Sequence, residues 1–162
     1  MVTQGTNTAA YAAGALAFEG DRLALICDDD KEHQGRLSSV LKDMGYDVAV
    51  AANAEDAYEK IKFNSFGVVV LNEKFSGGTP ENNEMLELFQ SMNINDRRNI
   101  LVALVGNGLK TMDNWTAYAG SVNLIISEGD LPNSTAILKK ALAENNLFYR
   151  VYKGVLKEMG KL

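Results

Sequence analysis

The 162-residue chain is 46% hydrophobic, enough to bury one good core, and carries a net charge of -5 with one cysteine and one histidine. That acidic balance argues against a nucleic-acid surface spread over the whole protein, and the lone Cys27 and lone His33 exclude an internal disulfide and metal clusters built on thiolates and imidazoles. No apolar run is long enough to cross a bilayer, and the start of the chain lacks the basic region and compact apolar core of a signal peptide, so a reducing cytoplasm is the expected compartment.

Residues 1–20 are rich in Ala, Thr, Gly and Asn and read as a flexible tail or linker, with a candidate short strand at Ala15-Leu16-Ala17-Phe18. The apolar run Arg22 to Cys27 predicts a first buried strand, closed by Asp28-Asp29-Asp30. Leu37, Val40, Leu41 and Met44 recur at helical spacing from Lys31 to Met44, and Gly45 supplies the stop. Tyr46 to Ala51 reads as a second strand. Asn53 is placed to cap the next helix, with Glu55 and Asp56 in its first turn and Ala57, Tyr58 and Ile61 as its inner face.

Gly67-Val68-Val69-Val70-Leu71 is uncharged and β-branched, which predicts a central strand buried on both faces and closed by Asn72 and Glu73. A loop with Gly77-Gly78 and Pro80 follows, then a helix from Asn83 to Met92 with Met85, Leu86, Leu88 and Phe89 as its apolar members. Ile100 to Val105 predicts a fourth strand, Thr111 to Tyr118 a short helix, and Val122 to Ile126 a fifth strand. After Pro132, Asn133 or Ser134 opens a long final helix. Five strands alternating with five helices imply a parallel sheet with right-handed crossovers and helices on both faces.

In such a sheet the side chains at the carboxyl ends of neighbouring strands converge on one crevice. Asp28, Asp29 and Asp30 would meet Asn72 and Glu73 there, either as a hard-cation site or as solvated caps of the first helix. The run Leu25-Ile26-Cys27-Asp28-Asp29-Asp30, the ending Met44-Gly45-Tyr46, the start Asn53-Ala54-Glu55-Asp56-Ala57 and the valine strand together resemble a response-regulator receiver domain over Asp21 to Leu147. The resemblance implies a three-layer flavodoxin-like (CheY-like), doubly wound, five-stranded parallel sheet of order 2-1-3-4-5, here with an extended C-terminal helix over residues 148–162.

It also implies a site. In receivers an acidic pair after the first strand holds magnesium, an aspartate ending the third strand accepts phosphate, and a hydroxyl and a lysine after the fourth and fifth strands bind the phosphoryl group. Asp28 and Asp29 match the acidic pair, whereas Asn72 stands at the acceptor position, Val105 (or Gly106, one residue on) at the hydroxyl position and Ser127 at the lysine position. An amide is a poor nucleophile, valine cannot hydrogen-bond a phosphoryl oxygen, and serine brings no cation. The expectation is a degenerate receiver, a pseudo-receiver, with no cofactor beyond weak or vestigial magnesium at Asp28 and Asp29. The third carboxylate that would tighten the site is an amide.

Among the remaining residues, Glu73 is expected to be solvated and turned away from the crevice, Cys27 to be a small buried hydrophobe, and His33 to be surface decoration. Val105-Gly106-Asn107-Gly108 reads as a turn. Trp115 and Tyr118 lie on the helix that, in receivers, belongs to the usual partner face; packing onto the sheet is the reading favoured over an interface anchor. The final helix continues its apolar spacing through Leu147, Phe148, Val151, Tyr152, Val155, Leu156 and Met159, well past what a receiver needs, and is basic. The functional expectation is a non-catalytic signalling module working through a protein partner or a homodimer at the final helices, with no nucleic acid and no membrane. The alternative is a small-molecule or metal-sensing domain that uses the crevice at the ends of the first and third strands.

Overall fold

The computed structural model describes residues 22–161, so the candidate strand at Ala15 to Phe18 lies outside the described residues. In order, the chain forms β1 (Leu23–Cys27), α1 (Lys31–Asp43), β2 (Asp47–Val50), α2 (Ala54–Phe63), β3 (Val68–Asn72), α3 (Glu84–Ser91), α4 (Ile94–Arg97), β4 (Leu101–Gly106), α5 (Asn114–Ala119), β5 (Leu124–Ser127) and α6 (Ser134–Glu158). Short 3₁₀ turns at Phe75–Gly77 and Glu128–Asn133 follow β3 and β5. The described chain therefore has one helix more than the expected five: α4 is a single turn opened by the Asn93 side chain, which accepts from the Asn95 N–H.

All strand pairings are parallel, in the order β2-β1-β3-β4-β5. β3 is the centre because its five residues are all buried, as an uncharged β-branched run must be when helices cover both faces. Alternation along the strands divides the core in two. Leu25, Cys27, Val69, Leu71, Val102, Leu104 and Ile125 pack toward Ala57, Met85, Phe89 and Ala117, while Ala24, Ile26, Val70, Ala103, Val105 and Ile126 pack toward Leu37, Leu41, Leu138 and Leu142. Fully burying each such large side chain stabilises the fold by about 1.5–3 kcal/mol, so the two layers supply most of the favourable energy.

Helix starts follow local chemistry. Asp30, Asn53, Asn83 and Asp113 each offer a side-chain oxygen to backbone N–H groups of the first turn of α1, α2, α3 and α5. Gly45, at φ +92°, ends the loop after α1 in the left-handed region that glycine tolerates. On α2 the expected inner face is only partly realised: Ala57 is buried, but Tyr58 is exposed because its position turns to solvent. Helix α6 has 25 residues and its buried side chains end at Leu142, so the remainder runs on past the sheet. No helix among the described residues is long and apolar enough to cross a membrane.

Candidate functional site

The carboxyl ends of β1 and β3 bring Asp28 and Asn72 together, since the register pairs Cys27 with Leu71 just before them. Asp28 is 2% exposed. Its Oδ1 accepts from the Asp30 N–H at 2.9 Å, and its Oδ2 accepts from the Asn72 side-chain amide at 3.1 Å. His33, one turn into α1, places Nδ1 2.9 Å from the same Oδ2. A carboxylate only accepts, so that ring nitrogen carries the hydrogen. The Gln34 side chain closes the arrangement by donating to the Asp28 carbonyl at 2.6 Å.

Asn72 is satisfied on both ends of its amide. Nδ2 donates to Asp28 Oδ2 and to Glu128 Oε1 at 3.3 Å, while Oδ1 accepts from the Lys74 N–H at 2.9 Å. The amide therefore lies between two carboxylates from the ends of β1 and β5. Asp29 is exposed and turns outward, its Oδ2 taking the Ser76 N–H at 2.9 Å. Asp30 points back along α1 as its cap, and hydrogen bonds from the His33 and Glu32 N–H groups hold its carboxyl below the usual range. The acidic triplet is thus divided, with one buried acid in the crevice, one acid holding the β3–α3 loop, and one cap.

The oxygens that a divalent cation would need are already engaged by protein donors. Both Asp28 oxygens, the inward oxygen of Asn72 and one Asp29 oxygen accept hydrogen bonds. Among the described residues no group of three or more His, Cys, Asp or Glu side chains is arranged to hold a metal ion. A carboxylate oxygen that accepts one hydrogen bond keeps a lone pair, so Asp28 and Asp29 are the residues that would hold magnesium, with an amide in place of a third carboxylate.

At the next strand, Val105 pairs with Asn72 and is fully buried in the layer under α1 and α6, and Gly106 pairs with Ser127. Neither candidate for the hydroxyl position carries a hydroxyl. Ser127 is half-buried, and its N–H donates to Thr111 Oγ1 at 2.8 Å, while the Thr111 hydroxyl donates to Asp130 at 2.5 Å. Thr111 and Glu128 are the site residues that sequence reasoning missed. Glu128 could have been suspected from its place next to Ser127, but nothing local distinguishes Thr111.

Two expectations near these strand ends need correction. His33 is not decoration: it is a half-buried partner of Asp28, brought there because Asp30 caps α1 and turns its first residues over the end of β1. Glu73 does point away from Asn72, but it is buried at 6% exposure rather than solvated. Its carboxyl lies over Gly106 and beside Leu109, in space that any β-carbon at Gly106 would fill. Burial raises the Glu73 carboxyl above its usual value, opposed by a hydrogen bond from the Asn107 backbone. Burial likewise pushes the Cys27 thiol far up, which keeps it an inert core residue.

The remaining candidates lie away from the crevice. Trp115 and Tyr118 are 84% and 83% exposed, contrary to the expectation that they pack on the sheet; Ala117 fills that inward position instead. Phe148, Val151 and Val155 are exposed on the continuation of α6. Tyr152 is held by Arg98, whose guanidinium lies 4.6 Å from the ring centroid and also donates to the Tyr152 hydroxyl.

No protein-family model matches the chain, and no curated protein is similar to it in sequence. Solved structures are similar in fold. The receiver domain of the Francisella response regulator 1452 superposes with a TM-score of 0.59 over 75% of this chain and 97% of that one, at 16% identity. The chemotaxis response regulator CheY4 of Vibrio cholerae gives 0.58 over 76% and 97%, at 18% identity. NtrX from Brucella abortus, solved in complex with ADP, gives 0.64 over 86% of this chain but only 30% of its own length, at 16% identity. The chain has the CheY-like receiver fold.

Proposed function

We propose that this chain is a pseudo-receiver: a non-catalytic signalling module of a bacterial-type regulatory system that acts through protein–protein contact and is not phosphorylated at Asn72. The observation that carries the reading is the amide of Asn72 donating to both Asp28 and Glu128. That side chain bridges the two carboxylates by hydrogen bonds but brings no charge to offset theirs. A phosphoryl group arriving there would meet two carboxylates and no cation, and an amide offers it no competent nucleophile.

The absence of a hydroxyl at Val105 and Gly106 and of a lysine at Ser127 supports the same conclusion. A receiver switches by letting a hydroxyl and a lysine close on new charge. Here the corresponding backbone is tied by Ser127 to Thr111 and by Thr111 to Asp130, which supports a module whose shape does not depend on phosphate. Constant shape suits a scaffold or docking module.

Incubation with acetyl phosphate, and separately with its beryllofluoride mimic, in millimolar magnesium tests the proposal by intact-mass spectrometry and amide NMR. Unchanged mass and unchanged amide shifts are expected. An acyl-phosphate mass increment on the wild-type chain, or a set of shifts centred on Asn72, Thr111 and Ser127, overturns it.

A further inference from the structure

We infer that the continuation of α6 is a self-association seam, pairing with the same helix of a second copy in parallel. The inference deepens the reading of the chain as a protein-contact module by naming its partner, and it does not depend on the chemistry at Asn72. Phe148, Val151, Val155 and Met159 succeed one another at steps of three, four and four residues and are all exposed. At about 100° per residue they fall within an arc of about 80°, with Leu147 at its edge. Arg150, Lys153 and Lys157 fall on the other side of the helix. Two copies that meet along the apolar arc therefore keep these cations off the seam, while Glu144 and Glu158 stand at its two ends, where their like charges hold the affinity modest.

The area matches a second copy of modest affinity. Five such side chains at roughly 100 Å² each give about 500 Å² per copy, and two copies reach about 1,000 Å², the lower bound of a specific interface. The seam is also pre-oriented. Arg98 contacts Tyr152 through its ring and its hydroxyl, which biases the direction in which the helix leaves the domain in each copy. Less ordering is then lost on pairing. In a parallel two-fold arrangement each residue near the axis faces its own equivalent, which makes Val155 a direct reporter.

Sedimentation velocity on the full chain from about 1 to 300 μM is expected to show a monomer–dimer equilibrium with its midpoint inside that range, as a small interface without a polar network allows. The double variant Val151→Glu/Val155→Glu, at exposed positions, is expected to keep the wild-type circular dichroism and melting curve while remaining monomeric throughout. Val155→Cys should form a disulfide-linked dimer under mild oxidation, Cys27 being buried and out of reach. A wild-type chain that stays monomeric at every concentration overturns the inference, as does a double variant that still dimerises. A dimer in which Val155→Cys fails to cross-link overturns the parallel seam. None of these outcomes bears on whether Asn72 accepts phosphate, so the two readings fail separately.

Discussion

A β-carbon built on Gly106 would lie 2.4 Å from Glu73 Cδ and 2.6 Å from Leu109 Cδ1, so the missing side chain is what lets the Glu73 carboxyl sit under the loop that follows β4. Both atoms are the far ends of side chains that can turn aside, so Gly106→Ala is expected to cost about 1 kcal/mol in urea denaturation, the low end of overpacking. Glu73→Ala in the same chain should recover part of that cost, since it vacates the contested space. Simple additivity of the two changes would show that the contact is not the cause. The pair also has a pH signature. Burial raises the Glu73 carboxyl above its ordinary 4.5, so the protonated form is favoured in the folded state. Stability from this group is then fully present below the ordinary value and is lost as pH rises through the folded one. Glu73→Gln keeps an oxygen for the Asn107 N–H and cannot ionise, so it should melt higher than wild type at pH 7–8, with the advantage vanishing near pH 4.

Helix α3 is fastened to the end of β3 by one buried amide. Asn83 Oδ1 accepts from the N–H groups of Met85 and Leu86, and its Nδ2 donates to the carbonyls of Asn72 and Glu73 at 3.3 and 3.0 Å. Asn83→Ala loses a helix cap worth about 1 kcal/mol and leaves buried carbonyls unpaired at about 1–3 kcal/mol more, so a total loss of about 2–4 kcal/mol is expected. Asn83→Ser retains the cap alone and should fall between the two; equal losses in both variants would count against the carbonyl contribution. The helix start near Asn83 was legible in the sequence though not its capping role, while the Asn53 cap and the five strands were read directly, because a cap and an apolar run are local signals. Helix α4 was not, since four residues are too few for a period and Ile94 faces solvent. The candidate site was legible only in part. Asp28 and Asn72 follow from strand ends and their meeting from topology; the contacts of Glu128 and Thr111 join segments that no local pattern links, whereas His33 lies five residues from Asp28 and its contact depends on the turn that Asp30 caps. Glu73 and Trp115 were misjudged for one reason: a strand-end or helix position fixes a direction, while burial depends on what the neighbouring element leaves open, a gap at Gly106 in one case and an unoccupied flank in the other.

For the molecule as a whole, the question is whether the segment beyond Asn146 belongs to the cooperative unit. The large buried side chains of both core layers end at Leu142, and Phe148, Val151 and Val155 remain exposed. At the lower end of the domain the Arg97 guanidinium donates to the carbonyls of Ile100 and Ser121 and to Asn123 Oδ1, with Tyr149 of the extension close enough to act on its charge. Burial lowers the Arg97 pKa, and these hydrogen bonds hold the charge in place there. One tie from the extension back to the body is Arg98 on Tyr152, an exposed cation–π contact of about 0.5–1 kcal/mol. A chain ending at Asn146 should accordingly unfold in one transition, with stability within about 1 kcal/mol of the full chain at low micromolar protein. Its urea m-value should be nearly unchanged, because little surface buried within one copy is lost. Helical ellipticity should fall by the missing turns alone. A loss above about 3 kcal/mol, or a broadened transition, would instead place the extension inside the folding unit. The full chain's extra stability should then be independent of protein concentration, whereas an extension that is stabilising only through pairing must show it growing with concentration.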